Sequence, residues 1–177
     1  QARGKPGEAG GGYTSAFGDI AGKGIPCLHC SDGPQGYRSE DGKGTSTAWP
    51  ATITAAATWD EDLVQRWGEA MGKEFYEKGS QVQLGPGLNV HRVPRGGRNF
   101  EYVAGEDPYL GFRMAQPLVR GIQSQGVVAN AKHYVGNNQE TDRGSVSANI
   151  DERCLHEIYL MPFEGAIRAG VGSLMCR

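Results

Sequence analysis

From residue 58 onward the apolar positions change period three times in the same way. Leu63, Trp67, Ala70, Met71 and Phe75 recur at three- and four-residue spacing, the period of a helix with one buried face. Thr58-Trp59-Asp60-Glu61 ahead of them has the form of a capping box, and Gly79 supplies a C-terminal cap. Gln81-Val82-Gln83-Leu84 then reads as a short strand. In the second unit Asp107 is the N-cap, Pro108 fills the first turn, and Leu110, Met114, Leu118 and Ile122 carry the apolar face to Gly126. The strand Val127–Ala131 follows. Asp151 opens the third unit, whose helix runs through Leu155, Ile158, Phe163, Ala166 and Ile167 to Gly170, with the strand Gly172-Ser173-Leu174-Met175 behind it. Pro117 and Pro162 fall inside these helices and predict a kink or an early end.

Helix–strand units repeating about every 45 residues argue for a parallel sheet. The strands are short and built of apolar or small residues, which suits burial on both faces. A (β/α)8 barrel and a doubly wound sheet both fit this pattern. The chemically unusual residues follow the strands: Gly85 to Arg92 after the first, Lys132-His133 at the end of the second, Met175-Cys176 at the end of the third. Catalytic barrels place their chemistry at those carboxyl ends, and a full barrel needs about 250 residues. The expected fold of this 177-residue chain is therefore α/β, a partial (β/α)8 TIM-type barrel of parallel strands alternating with helices.

Composition narrows the function classes. The net charge is −2 and the pI about 6.1, so neither a strongly basic nucleic-acid binder nor an acidic tail is expected. Mean hydropathy is −0.50, and no apolar run approaches the roughly 18 residues of a membrane span. The 28 glycines lack a three-residue period and fall mostly between apolar segments, implying many tight turns. Residues 1–24 read as a glycine-rich lead-in to a domain spanning 25–177. The start at Gln1 and the abrupt final strand give the expectation of an internal piece of a longer protein. Cys27 and Cys30 have the spacing of half a zinc site, but Cys154 and Cys176 do not form a second close pair, so no metal is expected.

Several motifs have a bland reading beside a chemical one. Gly42-Lys43-Gly44-Thr45 puts glycine where a phosphate loop needs a hydroxyl after lysine, and neither a G-x-G-x-x-G nor a G-x-S-x-G elbow occurs; no nucleotide cofactor is expected. Asp32-Gly33-Pro34-Gln35-Gly36-Tyr37-Arg38 could be a surface turn whose Asp caps backbone amides. In Arg95-Gly96-Gly97-Arg98-Asn99-Phe100-Glu101 an arginine could reach a ligand or pair with Glu101. Lys132-His133 ends an apolar strand, where two such side chains are costly unless they face something polar. Asn137, Asn138, Gln139 and Glu140 add hydrogen-bonding groups close behind. Carboxylates, amides and cations converging near aromatic residues suit sugar hydroxyls, each of which both donates and accepts.

Taken together and in order, Asp32-Gly33-Pro34-x-Gly36-x-Arg38, Thr47-Ala48-Trp49-Pro50, Gly97-Arg98-Asn99-Phe100-Glu101, Gly105-Glu106-Asp107-Pro108-Tyr109, Lys132-His133-Tyr134, Asn138-Gln139-Glu140-Thr141, Asp151-Glu152-Arg153 and Gly172-Ser173-Leu174-Met175 resemble glycoside hydrolase family 3, in its β-glucosidase branch. The resemblance runs from about residue 25 to the end. It implies a first barrel domain followed by an α/β sandwich. The implied activity is retaining hydrolysis of terminal β-glucosides or oligosaccharides without cofactor or metal, by two carboxyl groups about 5–5.5 Å apart. Carried over residue by residue, it assigns Asp32 to sugar hydroxyls, and Arg38 and Arg98 to hydroxyls or to holding Asp32. Lys132 and His133 would donate near the anomeric centre, and Met175 would line the pocket, with Arg143 a lesser candidate. It places the nucleophile and the acid/base beyond Arg177, so no catalytic carboxylate is assigned here, and it implies that Cys176 pairs with a later cysteine and is unpaired in this chain. Lys132-His133-Tyr134-Val135-Gly136-Asn137 departs from the Lys-His-Phe-Pro-Gly-His pattern of the family's N-acetylglucosaminidases. A β-xylosidase and an inactive carbohydrate-binding barrel remain alternatives. An extracellular or vacuole-like compartment is implied by the family alone.

Overall fold

The computed structural model describes residues 15–17, 23, 26–39 and 44–176. Among the described residues five strands form one sheet in the order β1-β2-β3-β4-β5, where β1 is Ser15–Phe17, β2 Leu28–Asp32, β3 Val82–Leu84, β4 Val128–Tyr134 and β5 Ser173–Cys176. β1 pairs antiparallel with β2, and the remaining neighbours are parallel. Each parallel connection carries a helix: α1 (Thr52–Ala56) and α2 (Glu61–Glu77) before β3, α3 (Pro108–Ser124) before β4, and α4 (Glu152–Cys154), a π-helical turn (Leu155–Tyr159) and α5 (Met161–Arg168) before β5. The sequence periodicity finds β3, β4 and β5 but not β2, whose Leu28-His29-Cys30-Ser31-Asp32 alternates too weakly to stand out. Most of the glycine-rich lead-in lies outside the described residues; Ser15–Phe17 within it is a strand rather than loose chain.

One face of the sheet packs against the helices. Val64, Trp67, Met71 and Phe75 of α2 meet Leu110, Met114, Leu118 and Ile122 of α3, and Ala129 and Ala131 of β4 close the layer beneath them. Burying a side chain such as Phe75 or Leu118 completely is worth about 1.5–3 kcal/mol, so this layer carries much of the cohesion. The α2 stripe begins one residue later than the sequence suggests: Leu63 is 38% exposed and Val64 is buried. Asp60, not Thr58, accepts the hydrogen bond from Leu63 N (2.9 Å), while the Thr58 hydroxyl turns back to Ala55 O (2.7 Å). The capping box therefore does not form.

Pro117 sits inside an uninterrupted α3. Pro162 marks a real break: the π-helical turn precedes it and α5 restarts with the proline in its first turn. Within α5, Phe163 and Ala166 are buried as expected but Ile167 is 56% exposed. Two glycines set the spacing between α2 and α3. A Cβ on Gly121 would lie 2.3 Å from Gln65 O, and one on Gly68 2.8 Å from Leu118 O, so only glycine allows this approach. Cys27, Cys30, Cys154 and Cys176 form no disulfide in the structure. No described helix is long and apolar enough to cross a membrane.

Candidate active site at the carboxyl ends of the strands

The parallel register brings the chemically distinctive residues to one edge. Cys30 aligns with Val82, Asp32 with Leu84, Val82 with Val128, and Asn130 with Ser173. Residues two apart along a strand share a face, so Asp32, Leu84, Asn130 and Ser173 all lie on the face turned away from the helices. Met175, two residues beyond Ser173, joins that face. The Asn130 amide donates to the Ser173 hydroxyl at 2.7 Å, which ties β4 to β5 there.

Lys132 reaches across from β4 and its Nζ donates to Asp32 Oδ1 at 2.8 Å. The two side chains differ in environment: Lys132 is 4% exposed and Asp32 27%. A buried ammonium needs a close countercharge, and Asp32 supplies it. Arg38 approaches the second carboxylate oxygen at 3.7 Å from a largely exposed position. The turn that returns the chain is closed by Arg38 N donating to Asp32 O at 2.7 Å. Asp32 thus carries cations on both oxygens.

The segment after β3 is bound to its neighbours rather than looping free. Asn130 N donates to Gly85 O (2.9 Å), Lys132 N to Pro86 O (3.0 Å), Leu88 N to Lys132 O (2.7 Å) and Val103 N to Gly87 O (3.0 Å). Next in line, Asn89 clamps the backbone of His133, accepting from His133 N through Oδ1 at 2.7 Å and donating through Nδ2 to His133 O at 3.4 Å. Asn89 Nδ2 also meets Asn138 Oδ1 at 2.9 Å. β4 gains one residue relative to β5 between Ala131 and Tyr134; a bulge of this kind re-aims side chains at a strand end.

His133 lies edge-on to the ring of Tyr102, and its Nδ1 is 3.2 Å from the Tyr102 hydroxyl, which also stands 3.0 Å from Asn137 O. Burial holds the Tyr102 phenol well above its usual range. Arg98 is held through one nitrogen, while its buried Nη1 has no hydrogen-bond partner among the described residues. Its Nε is 2.5 Å from Glu101 and 3.5 Å from Glu140, and the Arg98–Glu101 pair is buried, at 10% and 8% side-chain exposure. The pairing with Glu101 read from that loop is present. Arg143 contacts Glu140 at 3.6 Å on the outer side of the same cluster. His91, behind the pocket loop, has its pKa lowered by burial, against an upward pull from a hydrogen bond with the backbone of Asn99 and from the Glu106 charge.

Among the described residues no three His, Cys, Asp or Glu side chains converge as ligands for a metal. An open cleft of about 480 Å³, lined by Thr45, Ser46, Thr47, Glu74, Glu77 and Lys78, lies at the far end of α2, where the chain enters β3 rather than leaves it. Glu74 there is occupied by Thr47 N (2.8 Å) and Trp49 Nε1 (3.1 Å).

Residues 18–177 match the model of the glycosyl hydrolase family 3 N-terminal domain. The chain belongs to that family. It is 50% identical over 159 residues to the probable β-glucosidase F of Aspergillus fumigatus, covering 86% of this chain and 18% of that protein. It is 43% identical over 157 residues to β-glucosidase BoGH3A of Bacteroides ovatus, covering 83% and 21%. Among solved structures, β-glucosidase 3B from Thermotoga neapolitana in complex with glucose superposes with a TM-score of 0.81 at 46% identity, covering 86% of this chain and 22% of that one. The Kluyveromyces marxianus β-glucosidase in complex with glucose gives 0.87 at 38% identity, covering 91% and 19%. The chain thus spans about a fifth of the length of the relatives it matches. Its four parallel strands and their helices are part of the family's (β/α)8-type barrel, as the residue pattern predicts.

Proposed function

We propose that the whole protein is a retaining β-glucosidase that removes terminal non-reducing β-D-glucosyl residues from β-glucosides or oligosaccharides. In this reading residues 25–177 form the first portion of its barrel domain. The observation that carries it is the Asp32–Lys132 pair, set at 2.8 Å between the exit ends of β2 and β4, which flank β3, with Arg38 and His133 close behind. A sugar hydroxyl entering between Asp32 and Lys132 finds a charged acceptor and a charged donor a few ångströms apart, which orients it in both of its hydrogen-bonding roles. Met175, on the same sheet face, gives the glycone an apolar surface. Arg98 fixes Glu101 through Nε and keeps Nη1, which has no partner among the described residues, for a sugar hydroxyl.

Asp32 is not the nucleophile in this reading. Its charge is already neutralised by Lys132 and Arg38, and a carboxylate so paired is a weak attacking group and a good hydroxyl acceptor. The two catalytic carboxyl groups that retention requires are assigned outside residues 1–177, and the 177-residue chain alone is expected to leave an aryl β-glucoside uncleaved.

The test is kcat/KM for an aryl β-glucoside in the whole protein. Asp32→Asn, which keeps the shape but loses the charge, should lower it by at least two orders of magnitude, since losing a charged acceptor that tightens at the oxocarbenium-like transition state costs about 2–4 kcal/mol. Asp62→Ala, at the exposed start of α2, should change it less than about threefold. Equal effects of the two substitutions in folded protein would place the sugar elsewhere.

A further inference from the structure

The Tyr102 hydroxyl has one proton and two close partners. Asn137 O, at 3.0 Å, can only accept. His133 Nδ1, at 3.2 Å, donates in one neutral tautomer and accepts in the other. If the hydroxyl gave its proton to Nδ1, the phenol oxygen and the Asn137 carbonyl oxygen would face each other at 3.0 Å with no hydrogen between them. If Nδ1 were bare while the hydroxyl bonded Asn137, the clash would move to the Tyr102–His133 contact. Only one assignment satisfies both contacts: the hydroxyl donates to Asn137 O, and Nδ1–H donates to the hydroxyl oxygen.

We infer that Tyr102 is a positioning residue that fixes His133 in its Nδ1–H form, so that in the neutral ring Nε2 is an acceptor for a sugar hydroxyl proton. This differs from the expectation that Lys132 and His133 both donate. Two donors side by side would send the hydroxyl's own proton back to Asp32, which already holds Lys132 and Arg38. A lysine that donates next to a histidine that accepts would bind one hydroxyl as a directed chain. The surroundings keep Tyr102 in this part: it is fully buried, and the same burial holds its phenol above the usual range, so the proton stays on the oxygen. Asn89 fixes the backbone on both sides of the ring, through His133 N and His133 O, and Tyr102 adds a hold on the ring itself. The sugar-facing role of Nε2 rests on the glucosidase reading; the tautomer does not.

The test is nitrogen-15 NMR of the whole protein labelled at histidine, recorded at pH 8, where an unperturbed imidazole with a pKa of about 6.5 is neutral, and with His133→Gln used to assign the resonances. A pyrrole-type shift at Nδ1 and a pyridine-type shift at Nε2 of His133 are expected. A pyrrole-type shift at Nε2 overturns the inference, and the native spectrum decides this even if no Tyr102 variant folds. In Tyr102→Phe the Nε2–H form should become the main one, and kcat/KM for an aryl β-glucoside should fall about three- to tenfold, the worth of one neutral hydrogen bond. Tyr109→Phe, at an exposed phenol, should change neither. An unaltered His133 spectrum in folded Tyr102→Phe also overturns the inference. Saturating glucose should move the Nε2 resonance and spare Nδ1; if the tautomer is as expected but Nε2 stays still while glucose binds, the assignment of Nε2 to the sugar falls. If the protein binds no glucose, the glucosidase reading falls and the tautomer result is unaffected.

Discussion

The pairing of a buried lysine with a partly solvated aspartate predicts an asymmetric response to mutation. Removing Asp32 strands the Lys132 ammonium, whose side chain is 4% exposed. Breaking a buried pair in this way costs about 3–5 kcal/mol, and the open side of the pair puts Asp32→Ala near the lower end, about 3 kcal/mol. Removing Lys132 instead leaves a carboxylate at 27% side-chain exposure with Arg38 still 3.7 Å away. Water and Arg38 can satisfy it, and Lys132→Met adds apolar packing, so its cost should be about 1 kcal/mol. The double variant leaves neither charge and should cost less than the sum, with a coupling of about 2 kcal/mol. Urea unfolding of the four proteins, followed by tryptophan fluorescence, measures this. With a slope near 2 kcal/mol per molar, the Asp32→Ala midpoint should fall by about 1.5 M and the Lys132→Met midpoint by about 0.5 M. Strict additivity, or a larger loss for Lys132→Met, would refute the claim that the lysine is the stranded partner.

Other expectations follow from the same coordinates. Gly121→Ala should destabilise by more than about 2 kcal/mol despite the better helix propensity of alanine, because its methyl would sit 2.3 Å from Gln65 O; a gain in thermal stability would contradict the close approach of α2 and α3. Asp60→Ala should cost about 1 kcal/mol in a denaturant melt, and Glu61→Ala should not reproduce it, since the cap is made by Asp60 alone. His91 has a folded-state pKa lowered by burial, so the unfolded chain takes up its proton first. Its contribution to stability is present above about pH 6.5 and is lost as the pH falls below that value toward the folded pKa. His91→Gln should therefore flatten the acid limb of a stability–pH curve, and an unchanged limb would exclude His91 as a source.

How much of this could be read from residues alone depends on how local the determinant is. Helices α2 and α3 and strands β3 to β5 declare themselves because burial imposes a period on their apolar residues. The capping box at Thr58 has the right letters, but Asp60 stands closer to the first turn and wins the amide. Ile167 stands at helical spacing from Phe163, but the buried stripe of α5 runs through Pro162, Phe163 and Ala166 and leaves it exposed. At the site, Asp32, Lys132 and His133 are conspicuous by their chemistry at strand ends. Arg98 is equally eligible by its chemistry, and the fold adds that Glu101 holds its Nε. Asn89 and Tyr102 belong to no chemical motif; their sole local signal is a polar group flanked by buried apolar neighbours, Leu88 and Val90 in one case and Val103 in the other. Their importance comes from contacts 44 and 31 residues away, which no local pattern encodes.

The tethering of the segment from Gly85 to Asn89 has a consequence for ligand affinity. Surface connections in barrels are ordinarily where length varies and where ordering is deferred until something binds. Here the main chain is already hydrogen-bonded along β4 and to Val103, so its conformational entropy is surrendered during folding, at about 1–2 kcal/mol per residue. A sugar arriving at this wall meets a surface that needs no further ordering, and more of the contact energy is left to appear as affinity. The converse is an intolerance: a one-residue insertion between Gly85 and Leu88 would displace the ladder as a unit and act as a folding lesion, whereas the same insertion in the exposed Thr141–Gly144 turn should pass with little effect on the fold.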